Sequence, residues 1–484
     1  MFSATSTSVR AGAARVNDDE RTSVDDRPWF AGLPERFATA LPALYIAWAM
    51  SFVLALCWLT PPYRNVDEIN HYLRAVQIAR GELTGYRLFG LGHVATGDSG
   101  GRSDPGIVAS SDPFSPDKPH SVPWVRKPDF QTAASAFFGP DELIGFGNTA
   151  VYPPFLYLPS VVSIWIGETV GLTILKTLYL ARAANMAAAI SISTLAMFLA
   201  RRTRWAIAAV ALLPMTAALY ASVNQDGLII ALALLVVAMV DRIGAEQRPA
   251  SNAELAALVA VAALAAMAKP PYGVMALFPF AVSPGITRRE FGAAAAIVAC
   301  TAAWTIFTMA TASVNIHGAV AALQFRYVVT HPFVVLPIAW QTLTAFSRNY
   351  FHEFIGVLGW LDTPLPRWFV RGAGIALAAS FLGACAAPPG PRPWLPLMIA
   401  IGGVGAVFAA EYLVWTRPFA PFVDGVQGRY FVPLAPVLAL ALPAAPRRIS
   451  PVLPWLAMAG IVVLAVFGPA VVIRSIVLRY YLCG

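Results

Sequence analysis

The feature that most constrains this chain is the recurrence of continuous apolar runs long enough to cross a bilayer. The first covers about 38–59. Others fall near 152–172, 179–200, 205–223, 227–240, 253–268, 272–283, 291–313, 333–346, 371–388, 394–414, 431–445 and 453–473. Apolar residues make up 58% of the 484, and charged residues only 12%, a ratio that no soluble core of this size needs. A hydrocarbon layer about 30 Å thick takes roughly 20 helical residues to cross. The runs are rich in Ala, Leu and Val and do not alternate, which argues against a β-barrel. The predicted fold is all-α: a polytopic helical membrane protein with about 11–13 membrane segments.

Charge sorts the loops. The net charge of +8 is carried chiefly by Arg. In a membrane protein such an excess marks cytoplasmic loops, and no nucleic-acid partner is expected. Arg201-Arg202-Thr203-Arg204, the segment 241–248, Arg288-Arg289, the Arg392 region and Arg447-Arg448 are the basic loops. All of them share one side if 152–172, which starts at Tyr152-Pro153-Pro154, is interfacial or re-entrant. The opposite side then receives 61–149, Asn224-Gln225-Asp226, Lys269-Pro270-Pro271-Tyr272, 314–370 and 424–430. This arrangement predicts about eleven crossings and an outward C-terminus. The runs 272–283 and 333–346 are short enough to be half-helices or interfacial segments.

Residues 1–38 are polar and rich in Ser, Thr, Arg and Asp, and are expected to form a disordered cytoplasmic tail before a membrane domain over 39–484. The first apolar run starts too far in, and lacks the small-residue cleavage site, for a typical signal peptide. Cys57, Cys300 and Cys385 lie within apolar runs and Cys483 is next to last, with no metal-ligand spacing among them.

The segment 61–149 is a long polar loop, rich in Gly, Pro, Asp and Ser over 97–128, and so long a loop is usually functional. Near its start, Asn65-Val66-Asp67-Glu68 predicts a helix beginning with Asn65 as N-cap and Glu68 as its capping-box partner. Val66, Ile69, Tyr72, Leu73, Val76 and Leu83 follow with helical spacing. That pattern describes an amphipathic helix on the outer membrane surface, with Asp67, His71 and Arg74 on its polar face and Gly81 at its end. The two carboxylates either favour the positive end of the helix dipole or carry chemistry. In the second case Asp67 takes a proton from an acceptor hydroxyl, while Glu68 or His71 orients it or helps hold a divalent cation such as Mg or Mn.

Other polar residues stand beside apolar runs. Asp226 is costly there unless it faces water or a partner. Lys269 either snorkels or binds a lipid phosphate, and Arg182 within Ala181-Arg182-Ala183-Ala184-Asn185 is open to the same two readings. The segment 354–366, with Trp360 and Asp362, suggests a shaped outer loop, and Trp360 also suits an interface anchor. Arg429, in Gln427-Gly428-Arg429-Tyr430, anchors a span or holds a phosphate. His317, Arg326, His331 and His352 fall in outer segments, and no His pair has zincin spacing. Walker, dinucleotide and nucleophile-elbow motifs are absent from the sequence.

An ordered set of short stretches resembles a family of bacterial multispanning proteins, domain-of-unknown-function family 2142. They are Val66-Asp67-Glu68-Ile69-Asn70-His71-Tyr72-Leu73-Arg74-Ala75, Tyr152-Pro153-Pro154-Phe155-Leu156-Tyr157-Leu158-Pro159, Leu213-Pro214-Met215 with Ser222-Val223-Asn224-Gln225-Asp226, Ala268-Lys269-Pro270-Pro271-Tyr272, Gly359-Trp360-Leu361-Asp362-Thr363-Pro364 and Gln427-Gly428-Arg429-Tyr430-Phe431-Val432-Pro433. Val66 stands where the family often has Pro, and Ile69-Asn70 where it often has Pro-Ala. The family in turn resembles the GT-C glycosyltransferases, which carry an acidic residue in the first outer loop and use polyprenyl-phosphate sugars. The resemblance implies a transferase in the bacterial cytoplasmic membrane, acting on an extracytoplasmic cell-envelope glycan or glycolipid. Asp67 and Glu68 become the catalytic candidates. His71, Arg74, Asp226, Lys269, Tyr272, Trp360, Asp362, Gln427, Arg429 and Tyr430 become substrate-binding candidates. A lipid-linked sugar transporter and a non-catalytic envelope-assembly protein are the alternatives.

Overall fold

The computed structural model describes residues 32–88, 99–114, 130–314 and 320–482. Residues 1–31, half of the Gly/Pro-rich stretch 97–128, His317 and Cys483 lie outside them. The tail boundary expected at 38 moves, because helix α1 (Leu33–Leu59) already includes its last residues. Pro34 and Glu35 both suit a first helical turn.

The long loop follows α1. It holds α2 (Glu68–Ala79), strands β1 (Tyr86–Arg87), β2 (Ser99–Ser103) and β3 (Glu142–Gly145), and the short helices α3 (Pro105–Ser111) and α4 (Phe130–Ser135). The strands pair antiparallel in the order β1-β2-β3. Helix α2 does not lie on a membrane surface as expected, since residues on all its faces are buried. The loop's own sheet, α3 and α5 (Leu158–Thr169) pack around it. Arg80 and Gly81 (φ 91°) end it, as the sequence predicts.

The remaining helices are α6 (Ile174–Leu199), α7 (Arg204–Ala211), α8 (Pro214–Tyr220), α9 (Gln225–Ala245), α10 (Asn252–Ala268), α11 (Phe278–Val282), α12 (Arg288–Thr311), α13 (Ala321–Thr330), α14 (Val335–Gly356), α15 (Arg367–Leu382), α16 (Trp394–Val414), α17 (Val437–Ala441) and α18 (Leu453–Val477). Strands β4 (Val357–Leu358) and β5 (Thr363–Pro364) form a hairpin before α15. Seven helices are long and apolar enough to cross a membrane.

Hydrogen bonds define two ends of the bundle. At one end Arg202 donates to the carbonyls of Ala384, Leu440 and Leu442, and Arg204 to those of Ala38, Met197 and Ala200. Asp241 there accepts from the Arg201 and Thr203 amides, Arg289 reaches the Ala250 carbonyl, and Arg392 reaches those of Phe280 and Ser283. These arginines collect carbonyls left open where helices end. The other end gathers Thr60, Glu68, Arg182, Ser222, Asn224, Lys269, Arg429 and Tyr480. Among the described residues, eleven segments run between these ends: α1, α6, α7–α8, α9, α10, 270–282, α12, α15, α16, 428–441 and α18. The loops sort between the ends as charge predicts.

Two segments do not traverse. Helix α5 packs beside the first turns of α6, with Ser160 on Asn185 and Ser163 on the Leu180 carbonyl. Helices α13 and α14 form a pair bent by 103°. Both arms return to the site end, with Gln324 on the Tyr412 and Arg417 carbonyls and Glu353 on the Gly428 amide. Cysteines introduced at exposed Gly139 and Gly171 should therefore react with an impermeant maleimide from one side of the membrane. A cysteine at exposed Gln247 should react from the other. Labelling of Gly139→Cys and Gly171→Cys from opposite sides would show that α5 crosses.

Candidate functional site

The site is built on one buried ion pair. Arg182 lies in α6 and Glu68 opens α2, and both side chains are fully buried. Arg182 Nε donates to Glu68 Oε1 at 2.8 Å and Nη2 to Oε2 at 2.5 Å. Its other N–H groups reach the carbonyls of Cys57 (2.8 Å), Thr60 (2.7 Å) and Pro61 (2.9 Å). All five guanidinium donors thus have acceptors, which is what a charge buried this deeply requires. Glu68 Oε1 also accepts from the Val223 amide. The capping box expected between Asn65 and Glu68 does not form, because Glu68 turns inward to Arg182.

Turning Glu68 inward turns its neighbour outward. Asp67 adopts the left-handed conformation (φ 58°, ψ 8°), which a short polar side chain tolerates better than most. Asn224 Nδ2 holds the adjacent Val66 carbonyl at 3.0 Å. The Asp67 carboxylate is 26% exposed. Its Oδ2 accepts from Arg429 Nη2 at 2.8 Å and its Oδ1 from Asn148 Nδ2 at 3.3 Å. The two neighbouring carboxylates therefore bind two different cations, and they do not converge on one ion. Among the described residues, no three His, Cys, Asp or Glu side chains are grouped to hold a metal. As placed here, the acid pair does not form a divalent-cation site.

Arg429 lies in the 3-10 helix Gly428–Leu434, with its side chain 3% exposed. The preceding Gly428 packs so tightly that an added Cβ would meet the Tyr350 carbonyl oxygen at 2.0 Å. Its amide donates to Glu353 Oε2 at 2.7 Å. Arg429 Nε stands 3.5 Å from Asp226 Oδ2, and Asp226 Oδ1 stands 2.7 Å from Lys269 Nζ. Lys269 Nζ also lies 4.1 Å from the centre of the Tyr430 ring, and the Tyr272 hydroxyl donates to the Tyr430 carbonyl at 2.9 Å. Five expected residues from four distant segments thus form one chain: Asp67, Arg429, Asp226, Lys269 and Tyr430. Two carboxylates balance two cations, so the network is neutral. Within it Arg429 Nη1 is buried without a hydrogen-bond partner, as is Gln427 Oε1 two residues away.

His71 borders this network rather than joining it. Its Nδ1 lies 2.7 Å from the Tyr157 hydroxyl, and its ring stacks on Tyr152. Burial lowers its pKa to about 4, against the partly offsetting pull of Asp67 and Asp226, so the ring is neutral near pH 7. Arg74, expected to bind substrate, instead donates to the Leu83 and Tyr152 carbonyls and to Gln77, where it braces the loop and does not face the site. Trp360 and Asp362 belong to a second cluster. Trp360 Nε1 donates to the Tyr63 carbonyl, while Asp362 accepts from Arg64, Arg479 and Tyr480. Burial raises Asp362, but Arg64 and Arg479 outweigh it and hold the carboxyl below its ordinary range.

Sequence reasoning left Asn148, Arg64, Arg479 and Glu353 unassigned. Arg182 carried a signal, an arginine inside an apolar helix that must find a partner.

The model of a family described as "Predicted membrane protein (DUF2142)" matches residues 50–438. The chain belongs to this family. The match begins within α1, ends within α17 and includes the whole Asp67–Arg429 network. No curated protein and no solved structure matches the chain.

Two outcomes follow. Glu68→Ala or Arg182→Ala should each lower stability by about 3–5 kcal/mol, because each strands a buried charge. The Glu68→Met/Arg182→Met pair should lose far less than the sum, read as melting temperature in detergent. For His71 the folded pKa is depressed below the unfolded value near 6.5. The unfolded chain binds that proton first, so stability falls as pH drops below about 6.5 and levels off below about 4, a loss of roughly 3 kcal/mol. His71→Gln should remove that slope from melting curves taken between pH 4 and 8.

Proposed function

We propose that this membrane protein is a glycosyltransferase that moves a sugar from a polyprenyl-phosphate donor to a cell-envelope glycan or glycolipid. The observation that carries this reading is the pairing of a partly exposed carboxylate, Asp67, with a buried arginine whose Nη1 and Nε have no hydrogen-bond partner. The Arg-rich end of the bundle would face the cytoplasm and the site end the outside, in a bacterial inner membrane.

The chemistry needs a base and an anion site close together. A donor phosphate at Arg429 would use Nη1 and compete with Asp67 for Nη2, and Lys269 would add a second positive charge. Displaced from Arg429, the Asp67 carboxylate is free to take the acceptor's hydroxyl proton. The acceptor oxygen then bonds to the anomeric carbon as the bond from that carbon to the phosphate oxygen breaks. The electron pair leaves on the phosphate, where Arg429 and Lys269 stabilise the developing charge. A single displacement inverts the anomeric centre. Donor binding would thus also switch on the base.

One observation favours a second reading, a lipid-linked sugar transporter. The chain is interrupted at the site, between α8 and α9 and again at Lys269-Pro270, as transporter helices often are. Purified protein incubated with a panel of polyprenyl-phosphate sugars and envelope acceptors separates the two readings. Wild type should transfer sugar, and folded Asp67→Asn should lose about 100-fold or more. Equal transfer by both would remove Asp67 as the base. Flux of a lipid-linked sugar without transfer, unchanged in Asp67→Asn, would support the transporter.

A further inference from the structure

A separate cleft of about 840 Å³ opens at the same end of the bundle. It shares a wall with the site, since Glu353 lines it while accepting from the Gly428 amide. Four arginines line it, Arg348, Arg367, Arg474 and Arg479, against two carboxylates, Glu353 and Asp362. Both carboxylates are engaged, Glu353 with Gly428 and Asp362 with Arg64, Arg479 and Tyr480. Among the described residues, Arg348, Arg367 and Arg474 have neither an ion-pair nor a hydrogen-bond partner. Like charges converging without a counter-ion are unfavourable, and more so beside lipid than in open water.

Helix polarity sharpens the imbalance. Arg474 and Arg479 stand at the C-terminal end of α18 and just beyond it, where cations are favoured. Arg367 is the first residue of α15, where a cation opposes the helix dipole. Pro366 precedes it and supplies no side-chain cap, so the first-turn N–H groups of this 16-residue helix gain no side-chain acceptor there. An anion in the cleft would satisfy that helix start and the three arginines together. The tight Gly359-to-Asp362 turn fixes the floor. An added Cβ on Gly359 (φ 64°) would meet Asp362 Oδ1 and the Tyr480 hydroxyl at 2.3 Å, and Leu361 is held at φ 59°.

The remaining lining mixes polar side chains, Asn349, His352, Thr363 and Ser475, with apolar ones that include Leu361, Leu365 and Leu478. Trp368, next to Arg367, is 63% exposed, as aromatic residues at a membrane–water boundary are. We propose that this cleft binds the phosphate headgroup of a membrane lipid, with the guanidinium groups on the phosphate oxygens and the lipid chain in the bilayer beside Trp368. The proposal rests on the cleft alone and stands whether or not the neighbouring site transfers sugar.

Native mass spectrometry of the detergent-purified full chain tests it, with dioleoyl phosphatidic acid as the probe. Dioleoylglycerol serves as the uncharged control and inorganic phosphate as the soluble one. Wild type should retain phosphatidic acid and not dioleoylglycerol. The R367Q/R474Q double variant should bind it about tenfold more weakly or worse, with an unchanged melting temperature because both side chains are exposed and unpaired. R248Q, which alters an exposed arginine at the other end of the bundle, should bind it as wild type does. Equal retention by wild type and the double variant would overturn the proposal, as would an equal loss in R248Q. Inorganic phosphate binding as tightly as phosphatidic acid would overturn the lipid source and leave a free-anion site.

Discussion

Every part of the Asp67 site depends on the five hydrogen bonds of Arg182. A guanidinium buried within a helix bundle is tolerable only when all its donors are used. Here they gather the last carbonyls of α1, the Pro61 carbonyl and both oxygens of Glu68. The same residue therefore closes the end of α1, orients the start of α2 and fixes α6 against both. Removing either partner would leave an isolated charge among apolar side chains, and the turn at Asp67 would lose the anchor that shapes it.

That turn decides which acid faces the opening. With Glu68 held inward, the left-handed backbone at Asp67 sends its carboxylate towards Arg429, 362 residues away in sequence. Arg429 in turn joins the interrupted helices at Asp226 and Lys269. A neutral group of two acids and two bases, one of them with a free donor, rests stably without a substrate and still offers an anion a place. Under the transferase reading, the Arg429 pair that stabilises the resting site also restrains the base until a phosphate arrives.

Much of the fold was legible because membrane insertion leaves a coarse record. Apolar run length and the sorting of arginines located the traversing segments, and the same sorting required 152–172 to stay at one end. Short-range rules did less well near the site. Asn65 and Glu68 have the spacing of a capping box, yet a buried arginine 114 residues away takes Glu68. The helical spacing of α2 reads as an amphipathic surface helix, but the loop's own sheet covers its polar side, so Arg74 braces carbonyls instead of facing substrate. Nothing local separates Trp360 and Asp362 from the Asp67 network, because Arg64 and Arg479 decide that from outside the motif. The convergence of Asp67, Asp226, Lys269 and Arg429 was expected only as residues sharing one end of the bundle. The ion pairs that join them are visible only in three dimensions.

The most direct measurement is an electron cryo-microscopy structure of the purified protein with a polyprenyl monophosphate bound. Density for the phosphate against Arg429 Nη1, with the Asp67 carboxylate released from Nη2, is the expected result. A phosphate bound elsewhere, with the Asp67–Arg429 pair intact, would contradict the view that this pair is the point at which a lipid phosphate and the base meet.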